Sequence, residues 1–178
     1  LWDIDVQRGI SSPPVTYTID GTQHVTLLVG WGGLASFGLP VFTKEGWKYK
    51  DKGLRLISFS LVGKNELRHL DTRRYEFQPA DAGDEIIDEQ SAARGNLLYH
   101  YSSCSVCHGG GVVSSGAAAP DLRESQGSMD LDYFREIVSG GALISNGMPQ
   151  FKDLSDQELK DIHEYIREQT KNAEPVVR

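Results

Sequence analysis

Cys104-Ser105-Val106-Cys107-His108 constrains what this chain can fold into more than any other stretch. C-x-x-C-H is the attachment pattern of a c-type haem. Two thiols three positions apart can each add across one vinyl group of a porphyrin, and the histidine that follows is carried beneath the ring, where its imidazole can ligate iron. Zinc would need two further soft ligands, and the sequence has no third cysteine. A thioredoxin-like pair would sit between a strand and a helix of a βαβ unit, whereas here a helical pattern runs into the motif and Gly109-Gly110-Gly111 follows. Haem c is therefore the expected cofactor, with Cys104 and Cys107 as its thioether attachments and His108 as one axial ligand to iron. Both cysteines are then used, and no structural disulfide is available within the chain.

The pattern is helical from about Asp84. Ile87, Ala92, Leu97, Leu98 and Tyr101 can form one apolar stripe leading into the motif. Asp130 or Ser128 can cap a helix over 131–138 that stops at Gly140-Gly141. Ser155-Asp156-Gln157-Glu158 is a capping box for a last helix running to about Gln169, with Leu159, Ile162 and Ile166 as its buried stripe. The tail from Asn172 is expected to be loose. A second axial ligand must be a soft or imidazole donor, and Met129 and Met148 are the two thioethers. Met129 lies at the start of a helix, where packing is its ordinary use. Met148 sits on a loop between Gly147, which allows close backbone approach, and the rigid Pro149, so Met148 is the expected ligand. His100 and His163 are weaker candidates, since both stand on helices beside polar residues and read as exposed.

The first part of the chain reads as β. Leu1 to Val6, Val15 to Ile19, His24 to Val29 and Leu54 to Leu61 suit a meander of about four strands, and Asp20-Gly21 between two of them is a hairpin signal. Such a sheet has faces and edges to cover, and little else in the first 83 residues is apolar enough. An upstream segment or a partner chain is expected to complete it, the alternative being a small β cap on the haem domain. Residues 63–83 are polar and without a period, an extended strap containing only Pro79. Residues 1–83 carry 10 basic and 9 acidic side chains, residues 84–178 carry 8 and 16, and the net charge of −7 therefore sits in the second part. That balance argues against nucleic acid as a partner and suits a basic or neutral one. No apolar run approaches membrane-spanning length, so no transmembrane segment is expected. A start at Leu1, without methionine or a basic n-region, is expected of a mature product or a fragment.

Two resemblances add to this. LWDIDVQRGISSPPVTYTIDGTQHVTLLVGWGG resembles the last propeller strands of the pyrroloquinoline-quinone (PQQ) dehydrogenases, in particular the quinohaemoprotein alcohol dehydrogenases, in which a propeller is followed by a linker and a cytochrome c. Gly95-x-x-x-Tyr99-x-x-x-x-Cys104 resembles the first helix of class I cytochromes c, where the glycine lets the first helix cross the last closely, here beside Tyr165. Ser12, His24 and the scarcity of linker prolines depart from the family pattern. The resemblance implies a mixed fold, with the end of a β-propeller at 1–62, a linker at 63–83 and an all-α class I cytochrome c domain at 84–178. It implies that the Pro120 carbonyl orients His108, that Arg123 pairs with a haem propionate, and that Trp31 and Gly32 approach the quinone. It also implies that PQQ and calcium or a lanthanide belong to the complete parent enzyme, whose catalytic base comes from earlier blades and is not expected in this chain. The implied function is electron transfer from reduced PQQ through the haem to an external acceptor such as a cytochrome, a cupredoxin or a quinone, in the periplasm. The implied partner is the propeller portion or a propeller subunit. A free-standing electron carrier and a haem-c subunit docking on a separate dehydrogenase are the alternatives.

Overall fold

The structure, a computed structural model, describes residues 2–10, 12–30, 55–70, 76–114 and 119–177. Its first part is an antiparallel sheet of β1 (Val15–Ile19), β2 (Thr22–Val29) and β3 (Arg55–Ser60), in the order β1-β2-β3. Asp20 and Gly21 turn β1 into β2 with φ of 48° and 77°, the left-handed pair that a type I′ turn demands. Leu27 pairs with Ile57, and these two with Val29 form a buried face against which Val6 and Leu67 pack. On the other face Leu28 lies across from Leu56, and both are exposed.

The expected first strand does not form. Residues 2–6 join no ladder; Trp2 stands edge-on to Phe59 at 5.3 Å, and Val6 closes the buried face. Alternation states only that one side of a segment is apolar, and a segment laid across a sheet satisfies it as well as one hydrogen-bonded at the edge. One face of the sheet thus finds its cover within the chain, from Val6 and Leu67.

The second part is helical: α1 (Glu89–Tyr101), α2 (Cys104–His108), α3 (Leu131–Val138) and α4 (Asp156–Lys171). Side chains cap the three longer helices. Asp88 accepts from the Gln90 and Ser91 amides, Asp130 accepts from the Tyr133 amide, and Ser155 and Glu158 form the reciprocal box at α4. One core contains Tyr99, Val112, Phe134, Val138, Leu159, Ile162, Tyr165 and Ile166. The face of α1 that meets it differs from the expected stripe: Ser91, Ala92, Gly95 and Tyr99 are buried, while Leu97 and Tyr101 point to solvent. The cause is the crossing with α4. A Cβ at Gly95 would lie 1.8 Å from the Asp161 carbonyl oxygen and 2.9 Å from the Tyr165 Cβ, so this face is chosen for smallness rather than apolarity.

The strap and the tail are also more ordered than their composition suggests. β4 (Glu76–Phe77) pairs antiparallel with β5 (Val176–Val177), so the tail is tied back rather than loose. The Ala80 amide donates to the Arg123 carbonyl at 2.7 Å, and Arg167, buried in α4, donates to the Ala82 carbonyl from Nε and Nη2. Phe77 is buried, with the Arg123 guanidinium 4.5 Å from its ring centroid. Phe77→Ala is expected to cost about 3 kcal/mol through the cavity and the lost cation–π contact. Denaturant unfolding of the variant checks this, and an unshifted midpoint would mean that the strap contributes nothing to the helical part.

Candidate haem site

The site begins with the way α1 hands the chain to α2. Ser103, between the helices, has φ 63°, and its left-handed turn redirects the backbone so that Cys104, Cys107 and His108 lie on one short helical turn. Gly109 follows at φ 85°; a Cβ there would stand 1.9 Å from the Val113 carbonyl oxygen, so the chain folds back on itself at once after the histidine. The Tyr99 hydroxyl, fully buried, donates to the Gly109 carbonyl at 2.9 Å and anchors that turn to α1. Val112 is held at φ 63°, rare for a β-branched residue, by burial of its side chain in the core cluster.

His108 is buried, with Nδ1 2.9 Å from the Pro120 carbonyl oxygen. Nδ1 must donate there, which leaves the lone pair on Nε2 as the metal-binding atom. Burial holds its pKa below the ordinary imidazole range, opposed by the Pro120 hydrogen bond and by Asp121, and thereby favours the neutral form a ligand requires. Cys104 and Cys107 are free and partly buried, and burial pushes the Cys104 thiol up to about 11. A redox-active cysteine needs the opposite shift. Among the described residues no group of three or more His, Cys, Asp or Glu could hold a metal ion. Two adjacent thiols and an oriented, neutral, buried imidazole on one turn fit a covalently held porphyrin.

Met148 and Met129 are both partly buried against the core that also receives Cys104. Gly147, at φ 92°, ends the short turn Ile144–Asn146, and the Met148 amide donates to the Leu143 carbonyl at 3.2 Å. Met129 ends a short turn of its own, Gln126–Met129, just before α3. His100 is exposed as expected, but His163 is buried. Its ring lies 5.6 Å from the Phe134 ring, its buried Nε2 has no hydrogen-bond partner among the described residues, and burial lowers its pKa, opposed by the Met129 backbone. The signal was present: His163 follows Leu159 by four positions and precedes Ile166 by three, which places it within the buried stripe.

Residues 90–166 match the family Cytochrome C oxidase, cbb3-type, subunit III. Quinohemoprotein alcohol dehydrogenase ADH IIB of Pseudomonas putida is 36% identical over 168 residues, spanning 93% of this chain and 23% of that protein. The dehydrogenase subunit of alcohol dehydrogenase (quinone) from Gluconobacter oxydans is 34% identical over 93% of this chain and 21% of its own length. The solved quinohemoprotein alcohol dehydrogenase ADHIIG of Pseudomonas putida HK5 superposes with a TM-score of 0.69 and 30% identity over 92% of this chain and 23% of that one. The chain is a homologue of the C-terminal part of the quinohaemoprotein alcohol dehydrogenases. It thus spans less than a quarter of the length of these quinohaemoprotein relatives.

Within this quinohaemoprotein homologue, the sheet and the helical cytochrome c domain have the expected fold class and order. Among the described residues no helix is long and apolar enough to cross a membrane. Trp31 and Gly32 lie outside the described residues. Arg123 is placed against a protein carboxylate: Nε and Nη2 donate to Asp121 at 2.9 and 2.7 Å, beneath Phe77 of the strap. Asp121 and Ser114, both buried, were not among the residues that spacing singled out, because their role depends on a loop closing back on itself.

Proposed function

We propose that this chain carries single electrons through a haem attached at Cys104 and Cys107 and ligated by His108 and Met148. In this reading the electrons come from the reduced PQQ of an alcohol dehydrogenase propeller, in the periplasm, and leave to an external acceptor. His108 and Met148 would hold the iron from the protein, and the haem so held would supply a one-electron couple at a raised potential. The observation that carries the reading is the buried His108 ring, fixed by the Pro120 carbonyl within the C-x-x-C-H turn. His108 is oriented before any ligand arrives, so little reorganisation accompanies a change in its partner's charge.

Cys104 and Cys107 tether, Pro120 sets the tautomer of His108, and Met148 supplies the soft donor from the loop that Gly147 turns. Arg123, with Nε and Nη2 taken by Asp121, would reach a propionate through Nη1. PQQ and calcium or a lanthanide would be held by the propeller, with Trp31 and Gly32 approaching the quinone. The acidic balance of residues 84–178 suits a basic or neutral acceptor, a cytochrome or a cupredoxin, while the Gluconobacter relative carries quinone in its name.

The test mixes the oxidised, haem-loaded chain with a PQQ-loaded, alcohol-reduced dehydrogenase propeller that lacks its own cytochrome. Uptake of one electron per chain is expected in stopped-flow spectra, and no reduction by that donor would overturn the reading. Met148→Ala is expected to abolish the weak near-infrared iron–sulfur band of the oxidised protein. A band that persists would transfer the ligand role to Met129.

A further inference from the structure

The carbonyl that faces His108 belongs to a segment closed by more hydrogen bonds than a surface loop needs. Pro120 lies between Ala119 and Asp121, and both neighbours are tied down. The Ala119 amide donates to the Cys107 carbonyl at 3.1 Å, and the Ala119 carbonyl accepts from the Ser114 hydroxyl at 2.7 Å. The Asp121 carboxylate accepts from the Ser114 amide at 3.1 Å and from the Arg123 amide, Nε and Nη2 at 3.1, 2.9 and 2.7 Å. Ser114 and Asp121 are both more than nine-tenths buried. Ser114 therefore holds the segment twice, once by its amide and once by its hydroxyl, on either side of Pro120.

A buried carboxylate paired with an arginine is a poor way to gain stability, since two charges must leave water and an apolar pair of similar volume does as well or better. What such a pair supplies is a fixed geometry. Here the fixed group is the Pro120 carbonyl, and the atom it faces is Nδ1 of His108. We infer that Asp121 and Ser114 are positioning residues for His108, forming a clasp that holds the Pro120 carbonyl on the imidazole and so sets how strongly His108 donates to iron. Arg123 completes the clasp from outside and is itself held by Phe77 and the Ala80 amide of the strap. This inference rests on the haem reading above.

The direction of the effect follows from the chemistry. A firm hydrogen bond to Nδ1–H makes His108 a better donor and favours ferric iron; a slack one favours ferrous. Ser114→Ala removes the hydroxyl bond to Ala119 without changing any charge, and Asp121→Asn loosens the clasp and also removes a buried negative charge beside the site. Both variants are expected to raise the ratio of reduced to oxidised haem at a fixed solution potential, Asp121→Asn on the order of tenfold and Ser114→Ala less.

The experiment is a spectroelectrochemical titration of the full haem-loaded chain and these variants at one pH, with Asp161→Asn as a control. Asp161 is an equally buried carboxylate whose partners are Ser91, Arg94 and Gln157, so general destabilisation appears there without a change in the ratio. A raised ratio in Ser114→Ala with the control unmoved supports the clasp. An unmoved ratio in Ser114→Ala overturns it, whether or not Asp121→Asn folds. A wild-type chain that attaches no haem would instead sink the electron-transfer reading beneath it.

Discussion

Gly95→Val is expected to leave the chain without a folded haem domain, and Gly95→Ala to cost about 2 kcal/mol. The added Cβ of either variant would start 1.8 Å from the Asp161 carbonyl oxygen, a backbone atom that moves only if α1 and α4 separate. Overpacking of this kind costs about 1–3 kcal/mol and sometimes more. The gain of about 1 kcal/mol in helix propensity on leaving glycine offsets only part of it. Tyr99, Tyr165, Ile162 and Ile166 pack around the same crossing, so separation opens the core, not merely one contact. Since a domain of this size has only about 5–15 kcal/mol of stability in total, valine, with two further methyl groups, exceeds what the crossing can absorb. Denaturant unfolding of the haem-loaded chains checks both variants. An alanine variant as stable as the wild type would show that the helices do not meet at Gly95.

Asp161→Ala is the second large effect. The Asp161 side chain is buried in α4 and receives Nε and Nη2 of Arg94, the Ser91 hydroxyl and the Gln157 amide. Removing it strands the buried Ser91 hydroxyl and unpairs Arg94; because Arg94 is half-exposed and can be rehydrated, the expected loss is about 2–3 kcal/mol rather than the full cost of an orphaned buried ion. The pH dependence has a definite sign. The Arg94 hydrogen bonds, helped by Ser91 and Gln157 and opposed by burial, hold the Asp161 carboxyl at about 2, below its ordinary 3.8. Its folded pKa is depressed, so its contribution is complete above the unfolded value and is lost as pH falls from about 4 to about 2. Acid titrations should therefore show the wild-type advantage over Asp161→Asn shrinking across that window. An advantage unchanged down to pH 2 would contradict the pairing.

The hairpin at Asp20-Gly21, the helix over 131–138, the capping box at Ser155 and the stripe of Leu159, Ile162 and Ile166 were legible because each is a local device. A turn needs a backbone conformation, a cap needs an acceptor, and a long amphipathic helix repeats its signal several times. Residues 2–6 misled for the complementary reason: alternation carries no information on whether an edge is there to receive it. The burial of His163 follows from its spacing on the Leu159–Ile166 stripe, although its polar neighbours point to solvent. The strap and tail gave no periodic signal at all, yet Phe77 and the backbone of 176–177 are engaged, because β4, β5 and Arg167 hold them through contacts far apart in the chain.

By itself the sequence determined that Cys104, Cys107 and His108 must share one short turn, that a glycine stands nine positions before that turn begins, and that a sheet precedes the helices. These follow from covalent spacing and local backbone chemistry, which need no knowledge of distant residues. Only the tertiary structure decided which side of α1 is buried, what Arg123 pairs with, and that Ser114 and Asp121 close around Pro120. Those outcomes depend on where the chain returns in space, and a carboxylate acquires its role from the donors that arrive around it.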